Sequence, residues 1–261
     1  MSINYCEKER VFTLQTQNAT YQMIVDSHSY LLHCYYGAKI ERQNLSYCIQ
    51  PQDRGFAANP PDAAGDRTLS PDTLPQEYST FGVGDFRESC LDVRDKNGGV
   101  AADLRYGSYR IYPGKKPLNG LPAAYGNEKD VDTLEIDLRD EVSGLVVTLR
   151  YSVFAQWDVI ARSAEIFNRG TGVLILERAL SCCLDEPVPA SRDILTFYGR
   201  HMGERNLERM PLRHGKFRVD SMRGASSPHY NPFVILCDSA ATETAGNCWA
   251  FSLVYSGNFI A

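Results

Sequence analysis

Short runs of alternating apolar and polar residues fill most of the chain. In residues 132–138, Leu134, Ile136 and Leu138 alternate with Glu135 and Asp137. That is the period of two of a strand with one face buried. The same reading predicts strands at 13–16, 21–25, 30–36, 145–151, 161–167 and 173–179. Residues 168–172, Asn-Arg-Gly-Thr-Gly, separate the last two and predict a hairpin loop between them. Asp95-Lys96-Asn97-Gly98-Gly99 supplies the positive-φ residues of a tight turn. No stretch sustains a 3.6-residue apolar stripe. Many short strands without a long helix predict an all-β, antiparallel sandwich. With no internal repeat and no low-complexity linker, residues 1–261 read as a single domain.

One segment breaks the pattern. Between Gln50 and Arg87 alternation fades, and Pro51, Gly55, Pro60, Pro61, Gly65, Pro71, Pro75, Gly82 and Gly84 accumulate. So long an irregular segment inside a domain is usually functional or disordered. Phe56, Leu69, Leu74, Tyr78, Phe81 and Phe86 give this one apolar anchors, which favours an ordered, protruding loop at about 50–87. Its tip is placed to meet a ligand or another subunit.

Composition narrows the function classes. Hydrophobic residues make up 43% of the 261, enough for a sizeable core. The formal net charge is −5, with both signs interspersed, which argues against a nucleic-acid partner. No apolar run approaches the ~20 residues of a membrane span. The eight cysteines show no C-x-x-C spacing, and the amino terminus runs into Glu7-Lys8-Glu9-Arg10 instead of a secretory signal. Free thiols in a cytoplasmic protein are the expectation.

Four local features offer chemistry, and each has a plainer reading. His201 and Glu204 stand three apart but lack further ligands, so no metal site is expected. A polar loop with Arg200, Glu204 and Arg205 in salt bridges is the plainer account. Arg223 beside Ser226 and Ser227 suits an anion, or a loop closed by side-chain-to-backbone bonds. Trp157 and Trp249 suit stacking on sugar rings, but their strand-like flanks point to core packing. No cofactor motif is present.

Three stretches resemble the glycoside hydrolase family 36 α-galactosidases. The first lies in the irregular segment. It runs Gln52-Asp53-Arg54-Gly55-Phe56-Ala57-Ala58-Asn59-Pro60, then Leu74-Pro75-Gln76-Glu77-Tyr78, then Gly84-Asp85-Phe86-Arg87. The second is Tyr198-Gly199-Arg200-His201-Met202-Gly203-Glu204-Arg205-Asn206. The third is Ser221-Met222-Arg223-Gly224-Ala225-Ser226-Ser227, with Asn231-Pro232-Phe233 and Tyr255-Ser256-Gly257-Asn258-Phe259. Their order along nearly the whole chain is what makes the resemblance specific.

The resemblance implies a large two-layer antiparallel β-supersandwich, galactose mutarotase-like, at the amino terminus of the family's chain. A catalytic (β/α)8 barrel would follow downstream of residue 261, where a strand-like run is still in progress. It also implies retaining hydrolysis of terminal α-galactosides such as melibiose or raffinose, which needs two carboxyl groups roughly 5 Å apart. Nucleophile and acid/base are expected on the barrel. No catalytic residue is therefore expected here, and residues 1–261 alone should be inactive. The family's amino-terminal loop reaches a neighbouring subunit's active site in a homotetramer. On that ground Asp53 and Arg54 are candidate substrate-binding residues. A carboxylate accepts sugar hydroxyl hydrogen bonds, and a guanidinium holds the carboxylate. A pair that only stabilises its own turn stays open as the other reading. A stand-alone sugar-binding or mutarotase-like sandwich is the alternative for the whole chain.

Overall fold

The alternating segments form strands that pair antiparallel throughout. The structure, a computed structural model, describes the chain except residues 42, 54, 56–58, 64 and 186–190. The chain divides into two units: Met1–Lys116 with Tyr125–Glu186, and Pro117–Ala124 with Pro187–Ala261.

In the first unit β1 (Ile3–Cys6), β2 (Val11–Gln15), β3 (Ala19–Val25) and β4 (Leu31–Ala38) form a meander in that order. β5 (Leu91–Asp95) follows the irregular segment. β6 (Arg105–Pro113), β7 (Asp132–Asp140), β8 (Leu145–Phe154) and β9 (Val159–Asn168) make a second meander. The two sheets share one core. Phe12, Leu14, Tyr21 and Met23 come from the first, and Leu134, Ile136, Leu149 and Tyr151 from the second. The Phe12 ring meets Tyr109 of β6 edge-on, with centroids 5.3 Å apart. Each large side chain so buried contributes about 1.5–3 kcal/mol.

Two details depart from the sequence reading. The polar face of β7 is not open to water, because Glu135 and Asp137 are both buried. Arg150 of β8 and Arg110 of β6 cover and neutralise Glu135, at 2.9 and 3.0 Å. Thr148 donates to Asp137 at 2.7 Å. Nor do residues 168–172 close a hairpin. β10 (Leu174–Ala179) leaves β9 and pairs with β5, so the glycines serve a crossover. Alternation identifies a strand without identifying its partner.

The turn joining β7 and β8 packs backbone on backbone against residues 168–170. Gly144 there has φ +75°, and an added Cβ would lie 2.4 Å from the Gly170 nitrogen. Gly144→Ala should therefore cost about 2 kcal/mol or more, combining the positive-φ penalty with a displaced turn. Gly98→Ala is the control. Gly98 has φ +87° but nothing near its missing Cβ, so only the conformational penalty of about 1 kcal/mol applies. Urea midpoints of the two variants check this, and equal losses would dismiss the packing.

In the second unit β11 (Arg192–Arg200), β12 (Gly203–Pro211), β14 (Tyr230–Asp238) and β15 (Cys248–Ser252) form a sheet in the order β12-β11-β14-β15. β13 (Asp220–Ser221) pairs with β16 (Phe259–Ile260). Helical structure among the described residues is confined to short 3-10 turns. No helix there is long and apolar enough to cross a membrane.

Candidate functional site

The irregular segment is built in two parts, a buried base and an exposed tip. Its base runs along the edge of β4. His33 donates its backbone N–H to the Pro75 carbonyl at 2.7 Å, and Glu77 donates to Leu31 at 2.9 Å. This pairing drives Glu77 into the core, where it is fully buried.

A carboxylate at that depth needs partners, and four residues far apart in sequence surround it. Arg162 of β9 approaches Oε1 at 2.7 Å. Tyr21 and Tyr151 donate their hydroxyls to the same oxygen at 2.5 and 2.8 Å. His33 Nδ1 lies 3.5 Å from Oε2. Burial alone would raise the Glu77 carboxyl, but Arg162, the nearby His33 ring and the Tyr21 hydroxyl outweigh it and hold it below the usual glutamate range. Arg162 also donates to the Cys183 carbonyl at 2.8 Å, tying residue 183 to the cluster.

A second brace follows at once. Arg87 grips Asp85 with Nε at 3.0 Å and Nη2 at 2.9 Å, the bidentate geometry natural to a guanidinium. Nη2 also donates to the Leu74 carbonyl at 2.9 Å, and Gln76 donates to Asp85 at 2.9 Å. The motif residues Leu74–Tyr78 and Gly84–Arg87 thus lock one another. Sequence reading found both motifs but not this role. The signal was present: a Glu between Gln76 and Tyr78 and a lone Arg in an otherwise strand-like run.

The tip differs. Asp62 anchors it by a two-point ion pair to Arg105 of β6, both contacts at 3.2 Å. Asp53 lies beyond that anchor with its side chain about half exposed. Its Oδ1 accepts the Gly55 N–H at 2.9 Å and faces Arg67 Nη2 at 3.1 Å. Its Oδ2 accepts no hydrogen bond from any described residue. One oxygen of this carboxylate thus closes a local turn and faces Arg67. Arg54 lies outside the described residues. The described cation beside Asp53 is Arg67, which the sequence reading did not name.

The other motifs brace the second unit. Glu204 accepts the Met202 N–H at 3.0 Å, closing the β11–β12 hairpin at Met202, whose φ is +62°. The salt bridges expected of Glu204 do not form among the described residues. A backbone amide two residues away is the nearer donor. No group of three His, Cys, Asp or Glu placed to hold a metal occurs among the described residues. Gly224 donates to Asn258 at 2.7 Å and Ser226 to the Ser256 carbonyl at 2.6 Å. So the Ser221–Ser227 and Tyr255–Phe259 motifs close on each other.

The tryptophans separate. Trp249 of β15 is half-buried beneath Arg192, whose guanidinium stands 4.2 Å from the ring centroid. Trp157 is not in the core and is 73% exposed. It sits in the 3-10 turn Ala155–Trp157 between β8 and β9, where the chain reverses outside both sheets.

Comparison with known proteins accounts for the motifs. The family model described as the glycosyl hydrolase family 36 N-terminal domain matches residues 29–261, across both units. The bifunctional α-galactosidase/sucrose kinase AgaSK of Mediterraneibacter gnavus is 49% identical over 99% of this chain and 28% of its own length. α-Galactosidase AgaA of Geobacillus stearothermophilus is 43% identical over 100% of this chain and 36% of its own. The chain thus spans about a third of these relatives. Among solved structures, the galactosidase domain of AgaSK superposes with a TM-score of 0.95 at 48% identity, over 99% of this chain and 36% of that one. An AgaA variant in complex with raffinose gives 0.92 at 44%, over 96% of this chain and 35% of that one.

Proposed function

Because the chain belongs to glycosyl hydrolase family 36, as that family's amino-terminal domain, we propose that it is the non-catalytic amino-terminal part of an α-galactosidase. The substrates are terminal α-galactosides of the raffinose and melibiose type, and the two reacting carboxylates lie outside these residues. The domain's own contribution is a wall of the substrate pocket. The tip of the irregular segment presents Asp53, with Arg54 beside it in sequence, to the galactose of a neighbouring subunit in a cytoplasmic homotetramer.

One observation carries this reading. The base of the segment is locked by the buried Glu77 cluster and the Asp85–Arg87 brace, while Asp53 stays half exposed and no described residue donates to its second carboxylate oxygen. A stiff base under a half-exposed acidic tip suits a group that must meet ligand in a fixed geometry. The buried carboxylates do not suit attack on a sugar. Glu77 and Glu135 are held ionised and already bonded by arginine and tyrosine.

The full-length protein should hydrolyse a chromogenic α-galactoside, and purified residues 1–261 should not. Absence of turnover from the full-length protein would refute the activity. Turnover by the fragment that survives stringent removal of host enzymes would refute its non-catalytic role.

A further inference from the structure

Strands β14 and β15 pair so that Cys237 stands opposite Cys248. The hydrogen bonds decide what kind of opposition this is. Asp238 donates its N–H to the Asn247 carbonyl at 3.1 Å, and Leu253 donates to Pro232 at 2.9 Å. Directly opposed residues in an antiparallel ladder alternate between bonded and non-bonded pairs. With Asp238/Asn247 and Pro232/Leu253 bonded, Cys237/Cys248 is a non-bonded pair. There the Cα atoms approach to about 4.5 Å and both side chains leave the same face. A disulfide spans Cα separations of about 4.4–6.8 Å. The register alone therefore brings these two thiols within bonding reach without moving the backbone.

The pair is also asymmetric. Cys237 is 1% exposed, whereas Cys248, on the outer strand β15, is open to solvent. Arg209 of β12 lies on the same face, two positions along from Asp193, the residue opposite Cys237. Its guanidinium is fixed by Asp193 at 2.6 Å and by the Ala241 and Ser239 carbonyls at 2.8 Å each. From there its charge acts on the Cys237 thiol, and a nearby cation favours the thiolate that does the chemistry. Burial pushes the Cys237 thiol up, so the exposed partner is the one placed to react first.

We propose that Cys237 and Cys248 form a reversible dithiol–disulfide pair, oxidised by a small-molecule disulfide such as glutathione disulfide. The Cys248 thiolate attacks one sulfur of glutathione disulfide. A mixed Cys248–glutathione disulfide forms, and one glutathione leaves as thiolate. The Cys237 thiolate then attacks the Cys248 sulfur. The protein disulfide forms and the second glutathione leaves. Two protein thiols are oxidised, one glutathione disulfide is reduced to two glutathiones, and the thiol protons pass to the departing thiolates. In a reducing compartment the pair rests as thiols. Oxidation pins the edge strand β15 to β14.

The test uses the full-length protein, folded, treated with glutathione disulfide, quenched with an alkylating reagent and mapped by mass spectrometry. The expected result is a Cys237 peptide linked to a Cys248 peptide, released by dithiothreitol. In Cys237→Ser the resolving thiol is gone, so the mixed disulfide on Cys248 should accumulate at least about tenfold over wild type. In Cys248→Ser, Cys237 should stay unmodified while the fold holds. Stable glutathione on Cys248 of the wild type with Cys237 free would overturn the proposal. So would a Cys237 linked to any other cysteine, or a Cys248 that does not react. The wild-type map needs no variant to fold, so the proposal can fail on native protein alone.

Discussion

Replacing Glu77 with Gln should destabilise the chain by about 3–5 kcal/mol, the cost of removing one partner from a buried ion pair. The shape of the side chain is kept, but the neutral amide leaves Arg162, only 14% exposed, without its counter-ion. Tyr21 and Tyr151 also lose a charged acceptor. Against a typical total of about 5–15 kcal/mol, that loss puts folding itself at risk. Urea unfolding at neutral pH gives the number. The double variant Glu77→Gln/Arg162→Met should recover much of it, because the orphaned cation goes with its partner. A Glu77→Gln loss under about 1 kcal/mol would mean that water solvates Arg162 freely, and the cluster would no longer count as the lock on the loop base.

The same cluster fixes a pH dependence. The folded Glu77 carboxyl is held below its unfolded value. Its contribution is therefore complete above the unfolded glutamate pKa of about 4.3, and is lost as pH falls through the lower folded value. The acid limb of wild-type stability should flatten in Glu77→Gln.

Replacing Asp53 with Ala should leave the fold nearly intact and lower kcat/KM of the full-length enzyme by about ten- to a hundredfold. The expected loss follows from one charge-assisted hydrogen bond to a galactose hydroxyl, worth about 1.5–3 kcal/mol, at about 1.4 kcal/mol per factor of ten. Stability should change by about 1 kcal/mol or less, because the Arg67 pair is more than half exposed on both sides and solvent screens it. A residue that merely closes its turn gives the reverse pattern: a lower unfolding midpoint and unchanged kcat/KM per folded protein. The neighbouring-subunit placement has its own arm. Mixed oligomers of Asp53→Ala subunits with subunits lacking the barrel nucleophile should regain activity if Asp53 acts across the interface. No regain, with the singly substituted enzyme impaired, would place Asp53 in its own subunit's pocket.

The sequence by itself determined what depends on neighbours along the chain. Alternation in residues 132–138 and 145–151 marked strands, because a pleated backbone turns successive side chains to opposite faces. The motifs carried the family, and Asp53 two residues before Gly55 already had the chemistry of a turn in which a side chain accepts a nearby amide. The tertiary structure alone decided what depends on distant partners. Glu77 and Arg162 lie far apart in sequence, and no local pattern says that the edge pairing of residues 75–77 on β4 will seat one against the other. Periodicity showed that Glu135 and Asp137 share a face but not that arginines from two other strands would cover it. It could not tell that β10 would abandon β9 for β5, or that Trp157 would fall where the chain reverses outside the sheets. Apolar alternation is a local consequence of backbone geometry. Strand partnership and burial of charge are set by registers that only close in three dimensions.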